Sequence, residues 1–387
     1  VYNPAAVIFG VALILTVLWE TFETLVLPRR VARQFRLTKF FYRLTWVSYS
    51  AWASHRRNRR RRLALLSYFG PLSLLLLLVI WALALVLGFA LIDYGDGAKF
   101  AGTLFPSRFG NAIYLSGTTF FTLGLGDITP ASPLSRFVTV VEAGIGFGFL
   151  ALVIGYLPVL YQAFSRREVT ISLLDARAGS PPTALELLRR HSPATVGSGS
   201  LDALSELLHE WERWSAELME SHLSYPVLAY FRSQHDNESW LSSLTVILDV
   251  CALCMVGLEG MCHYQSRMTF AIARHALVDL SQVFGAPPDQ QRSSSRLSPE
   301  ELNGIRRQLK ELGLSLSSDE AANTELLRLR GLYEPYALSL AHYLHLDVPP
   351  WAKHDPTKDN WQTTAWQSRV THHGRVSAPA HVIDEHF

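Results

Sequence analysis

The chain has 387 residues, 49% of them hydrophobic, with 35 basic and 33 acidic side chains for a formal net charge of +2. It is too apolar for an average soluble protein and too polar for one wholly embedded in a membrane, and its near-neutral balance gives no ground for a nucleic-acid partner. All three cysteines lie between residues 251 and 262, which excludes a disulfide-built secreted fold and suits a reducing cytosol.

In chain order, residues 5–27 are mostly apolar and long enough to cross a hydrocarbon core of about 30 Å at about 1.5 Å per residue. No basic region precedes this run and no small-residue cleavage site follows it, so it reads as a membrane span rather than a signal peptide. Glu20 and Glu23 near its inner end share a helix face and are expected to pair with interfacial arginines. Residues 29–62 are strongly basic, with Arg29, Arg30, Arg33, Arg36, Lys39 and Arg43 followed by Arg56-Arg57-Asn58-Arg59-Arg60-Arg61-Arg62. They read as an interfacial helix and loop, with Phe35, Phe40, Phe41 and Trp46 among lipid headgroups and cations against anionic phosphates. The three-residue spacing of Arg30, Arg33, Arg36 and Lys39 resembles a voltage-sensor helix. Such a sensor needs a helical bundle around its arginines, and one span precedes this segment.

Residues 64–92 and 134–163 form the second and third apolar runs. Between them, residues 108–121 are too short to span and fit a half-membrane helix. The loops around that half-helix carry only Lys99, Arg108 and Arg136. The excess of Lys and Arg in 29–62 therefore predicts a cytoplasmic first loop, an external N-terminus and an internal C-terminus after Arg166 and Arg167.

The half-helix runs into Phe121-Thr122-Leu123-Gly124-Leu125-Gly126-Asp127-Ile128-Thr129-Pro130. Two glycines one residue apart relieve the steric bar on positive φ at alternate positions. A backbone alternating in this way points successive carbonyls in one direction, and four such strands around an axis make oxygen rings that replace the water shell of K+. Thr-Leu-Gly-Leu-Gly-Asp resembles the Thr-Val-Gly-Tyr-Gly-Asp filter of potassium channels. Span, half-helix, glycine-rich strand, span is the pore module of that family, and the resemblance covers about residues 64–166. Leu125 departs from the family's Tyr and resembles the second filter of two-pore-domain potassium channels.

The resemblance implies K+ coordination by the carbonyls of Thr122, Leu123, Gly124 and Leu125, with the Thr122 hydroxyl at the inner end and Gly126 completing the filter. It implies that Asp127 braces the filter behind the outer mouth, and that four chains close the carbonyl rings. Pro130, Arg136 and Gly146 fall where bacterial two-helix channels have the turret proline, outer arginine and hinge glycine. Gly144, Gly146 and Gly148 weaken the helix locally, or else allow close helix packing. Glu142 lies four residues before Gly146, as in bacterial inward-rectifier-type channels, and two uses are open. It accepts hydrogen bonds from Thr118 or Thr119 and braces the filter, standing in for the pore-helix acid that family members often have at the place of Thr118, or it faces the cavity and concentrates cations. Leu150, Ile154 and Leu157 share a face with Gly146 and would ring the pore as a dewetting gate. Pro158 would kink the helix there, giving a cytosolic domain tethered at Arg166 a lever on the bundle. Coupling of the extra first span to gating is a second use for Glu20 and Glu23.

Beyond residue 167 the pattern is helical and cytosolic. Helices are predicted at 200–222, 239–258, 261–284, 299–312 and 319–346, with a Pro/Ser linker at 286–297. The apolar segment 239–258 has Asp249 near its middle and no basic anchor, so it reads as a buried core helix and not a fourth span. Cys251, Cys254, Cys262 and His263 invite a zinc reading, but Cys251 and Cys254 simply share a core face. Among the fourteen histidines, His342 and His345 are helical neighbours and a pH sensor is conceivable, though no histidine stands out. No dinucleotide fingerprint, P-loop or EF-hand loop is present.

The expectation is an all-α membrane protein, multi-pass in the plasma or inner membrane. Its parts are an extra N-terminal transmembrane helix (1–28), a basic interfacial segment (29–62), a pore module with re-entrant helix and filter (63–166), a helical cytosolic domain (167–346) and a polar tail (347–387). The function implied is a homotetrameric potassium channel with K+ as permeant ion, no organic cofactor and no enzymatic activity. Its partners would be the lipid bilayer, with anionic lipids at the basic loop, and an unidentified cytosolic ligand or protein. The alternatives are a weakly selective cation channel, or a receptor or scaffold with a vestigial pore. A transporter of the pore-loop type would need four pore repeats in one chain.

Overall fold

Asn3 and Pro4 start the first helix: the Asn3 side chain accepts from the Ala6 N–H at 3.3 Å and proline occupies the first turn. The computed structural model describes residues 2–27, 36–233, 238–258, 263–289 and 296–352. Arg29, Arg30, Arg33, Phe35, Cys262 and residues 353–387 lie outside the described residues. The chain divides into two units, residues 1–162 and 163–387.

In the first unit, α1 (Pro4–Thr21) closes in a π-helical turn, Phe22–Val26. It is followed by α2 (Leu37–Ser54), α3 (Arg59–Asp96), α4 (Arg108–Phe120) and the start of α5 (Pro133–Ala178). Among the described residues, three helical segments are long and apolar enough to cross a membrane: Pro4–Val26, Arg59–Asp96 and Pro133–Ala178. The first packs on α3 through glycines. A Cβ on Gly10 would lie 2.5 Å from the Gly88 carbonyl oxygen, and one on Gly88 would lie 2.6 Å from Ile14 Cγ1. The extra span is thus held by backbone approach that a larger residue would prevent.

The interfacial expectation for α2 needs correction in part. Thr38, Tyr42, Trp46, Ser50 and Ala53 form its buried stripe, so Trp46 does not face headgroups. It packs edge-on against Phe69 of α3, ring centroids 4.8 Å apart, while Tyr49 donates to the Leu65 carbonyl at 2.8 Å. Phe40, Leu44, Val47 and Trp52 remain exposed. Glu20 also has a different partner from the arginines expected of it. Its carboxylate accepts the Leu37 and Thr38 N–H groups, each at 3.2 Å, and the Thr38 hydroxyl at 2.9 Å, capping α2 from a neighbouring helix. Free N–H groups at a helix start attract a carboxylate. Glu23 takes the Trp19 indole N–H at 2.8 Å and lies 3.9 Å from Arg36.

The second unit holds the rest of α5, then α6 (Ala184–Arg190), α7 (Pro193–Val196), α8 (Ser200–Ser224) and α9 (Trp240–Met255). These are followed by α10 (His263–Phe284), α11 (Pro299–Glu311), α12 (Glu320–Gly331) and α13 (Glu334–Leu344). The helix expected over 319–346 is divided, because Gly331 ends one segment and Pro335 suits only the first turn of the next. Every residue of α9 from Trp240 to Cys254 is buried, and α6, α10, α12 and α13 pack around it.

Asp249 inside α9 meets Arg296, which donates to Asp249 Oδ1 at 2.8 Å, to Glu334 at 2.9 Å and to the Pro349 carbonyl at 2.9 Å. Tyr333 donates to Asp249 Oδ1 at 2.5 Å, and Arg330 pairs with Glu334 at 3.0 Å. Burial lifts the Asp249 carboxyl to about 6, against the pull of Arg296. The polar tail expected from residue 347 begins later than predicted. Trp351 is buried, its carbonyl accepts the Leu185 N–H at 3.1 Å, and its indole donates to Glu334 at 3.3 Å. One large apolar ring is enough to dock this segment. Cys251 and Cys254 are buried in α9, and no metal-binding group of three or more His, Cys, Asp or Glu occurs among the described residues.

Candidate ion-conducting site

Helix α4 is set from both ends. Ser107 caps its start, accepting the Gly110 N–H at 3.0 Å. One turn in, Asn111 accepts the Leu104 and Phe105 N–H groups at 3.1 and 2.9 Å and donates to the Phe105 carbonyl at 3.0 Å, tying helix to loop. At the other end the helix carbonyls hold the first residues of the glycine-rich strand. Gly117 accepts from Phe121 at 3.1 Å, Thr119 from Thr122 at 3.0 Å, and Thr118 from both Leu123 at 2.8 Å and Gly124 at 3.3 Å.

From this anchor the backbone alternates. φ is +58° at Thr122, +57° at Gly124 and +80° at Gly126. The two glycines were anticipated. Thr122 was not, and a side-chain-bearing residue in this region costs of order 1–3 kcal/mol, which surrounding contacts must offset. Behind the filter, Asp127 Oδ2 accepts from the Tyr114 hydroxyl at 2.7 Å and Oδ1 from the Ile128 N–H at 3.0 Å. Beyond it, β2 (Thr129–Pro130) pairs antiparallel with β1 (Phe100–Ala101). Gly102 must be glycine here, since a Cβ would lie 2.1 Å from the Asp127 carbonyl oxygen.

Glu142 of α5 is buried and accepts a short hydrogen bond from Ser116, whose hydroxyl also lies 2.8 Å from the Val86 carbonyl. The expected donors were Thr118 and Thr119. The Thr118 hydroxyl instead returns to the Leu115 carbonyl at 3.0 Å within its own helix. Ser116 is the pore-helix hydroxyl that faces α3 and Glu142, a matter of helical phase that sequence distance does not reveal. The second oxygen of Glu142 has no hydrogen-bond partner among the described residues. Nearer the outer end, Ser135 donates to the buried Asp93 at 2.9 Å, and Arg136 donates to the Pro130 carbonyl at 3.1 Å.

Helix α5 runs through Gly146 and Pro158 as a single α-helical segment. A Cβ on Gly146 would lie 2.3 Å from the Phe120 carbonyl oxygen, so this glycine lets α5 touch the end of α4. Gly144 and Gly148 have nothing within 4 Å of a Cβ. Leu150 and Ile154 are exposed and Leu157 is half-buried. Leu123 and Leu125 are each 63% exposed.

Residues 75–162 match the family model described as Ion channel, Ion_trans_2. This match supports a pore-loop channel segment over those residues. An uncharacterized membrane protein of Bacillus subtilis (strain 168), YdjJ, is 26% identical over 210 residues. The alignment covers 54% of this chain and 59% of that relative. No solved structure matches the chain. The protein is therefore a membrane protein with an ion-channel domain.

Proposed function

We propose that four copies of this chain assemble into a potassium-selective channel, with the carbonyls of Thr122, Leu123, Gly124 and Leu125 as the ion sites and Gly126 completing the strand. The observation that carries this reading is the left-handed backbone at Thr122, Gly124 and Gly126. It is what a strand needs in order to aim consecutive carbonyls at one axis. Asp127 with Tyr114, and Glu142 with Ser116, hold that strand from behind. Bracing is favoured over a cavity role for Glu142, because a carboxylate engaged by a buried serine is not presented to water. Gly146 brings the inner helix against the pore helix, Leu150, Ile154 and Leu157 form a gating ring, and the helix near Pro158 is where bending would change its radius. The basic, aromatic face of α2 lies against anionic lipid, with the N-terminus outside and residues 163–387 in the cytoplasm.

Leu125 in place of a hydroxyl-bearing residue removes one anchor of the filter and supports a second reading, a weakly selective cation pore. Purified protein in liposomes distinguishes the two. Under the first reading K+ efflux exceeds Na+ efflux at least tenfold under equal gradients. Equal fluxes favour the second, and no flux of either ion in any condition removes both.

A further inference from the structure

The second unit contains a cleft of about 590 Å³ between α11 and α12, within the size range of small-molecule sites. Leu297, Leu302 and Leu326 form its apolar wall, and Asn303, Arg306 and Asn323 its polar one. Arg330 and Glu334 also line it, but they pair with each other at 3.0 Å. That leaves Arg306 as the lining cation with no direct ion pair among the described residues.

Arg306 is held in place by neutral acceptors. It donates to the Ser317 carbonyl from Nε at 3.2 Å and from Nη2 at 3.0 Å, to Asn323 Oδ1 at 2.5 Å and to Asn303 Oδ1 at 3.3 Å. Asp319, the carboxylate that acts on it, caps α12 by accepting the Ala322 N–H at 2.6 Å. Burial draws the Arg306 pKa down and Asp319 only partly opposes this. Both amide oxygens are engaged by the guanidinium, so Asn303 and Asn323 have their NH2 donors left to offer. The N-terminus of α11 is already satisfied by its own capping box, Ser298 with Glu301.

We propose that this cleft binds a small organic acid, its carboxylate against Arg306 and the amide donors of Asn303 and Asn323, its apolar body against the leucine wall. One lining cation without a direct ion pair suits a monoanion, since a dianion would bring a second charge with no partner. The site is independent of ion selectivity and stands apart from the pore reading.

Isothermal titration of the full-length protein in detergent with indole-3-carboxylate, and with the neutral indole-3-carboxamide, tests the site. The acid is expected to bind at least tenfold more tightly than the amide. Arg306→Gln should weaken the acid at least tenfold. Asn323→Asp keeps the oxygen that receives Arg306 but adds a negative charge, so it should weaken the acid at least tenfold and the amide less than threefold. Asn323→Asp also decides the matter if Arg306→Gln fails to fold. Equal affinity for acid and amide, acid binding unchanged in a folded Asn323→Asp variant, or no acid binding at millimolar concentration would each overturn the proposal.

Discussion

The two units solve the burial problem in opposite ways. In the first, Ile8, Phe137, Val140, Phe147 and Ile154 are 64–71% exposed, and the filter strand is open. In the second, α9 is buried along its length from Trp240 to Cys254, and the large apolar side chains that stay exposed, such as Val169, Tyr264 and Leu327, are scattered. Helices in a bilayer need only satisfy their own backbones, and their side chains find lipid or other chains as partners. A helical unit in water has to close its core within one chain. The first unit consequently leaves large apolar side chains open, whereas the second closes α9 around a buried ion-pair network.

The largest effect is expected where the first unit depends on backbone shape alone. At Gly124 nothing lies within 4 Å of an added Cβ and φ is +57°, so alanine there is opposed only by conformation, at about 1–2 kcal/mol per chain. Multiplied over four copies, Gly124→Ala should lower K+ flux in liposomes at least tenfold or abolish selectivity, with assembly intact on native gels. Wild-type flux and selectivity in that variant would remove the filter assignment.

The second unit should fail through its network. Arg296→Met leaves Asp249 and Glu334 buried without their shared cation, a loss of about 3–5 kcal/mol. Denaturant unfolding of the full chain should register it. A change below about 1 kcal/mol would mean the network is not what holds α9, α13 and the Trp351 segment together.

A smaller effect separates tight from open glycines in the first unit. Gly88→Ala drives a methyl into Ile14 and the Gly10 carbonyl and should destabilise the α1–α3 pair by about 1–3 kcal/mol. Gly144→Ala meets nothing within 4 Å and should be neutral or slightly stabilising. Thermal melting of both variants in detergent is the comparison, and equal shifts would contradict the glycine contact.

Glu142 gives a finer test. Glu142→Gln preserves an acceptor for Ser116 and should conduct nearly as wild type, whereas Glu142→Val removes the tie between α4 and α5, leaving the Ser116 hydroxyl only the Val86 carbonyl, and should reduce channel open time several-fold in single-channel recordings. Similar conductance losses in both would favour the cavity role. The smallest effect is at the gate, where Ile154→Asp should wet the constriction and raise basal K+ flux a few-fold. No change in a channel shown to be closed at rest would shift attention to gating at the filter.

The sequence by itself determined the three apolar spans, the half-helix and the glycine pair, because hydropathy over a span and the need for positive φ are local properties. It also determined that α9 is apolar all round, though not which side chain would answer Asp249. Tertiary structure alone decided that Ser116 rather than Thr118 meets Glu142, since helical phase against a neighbour depends on packing. It decided that Glu20 caps α2, that Arg296 joins Asp249 to Glu334, and that Trp351 docks beyond the expected domain end. Each of these is a pairing between distant positions, selected by the cost of burying a charge, an N–H or an aromatic ring without a partner, and that cost becomes visible only when the chain has brought the two positions together.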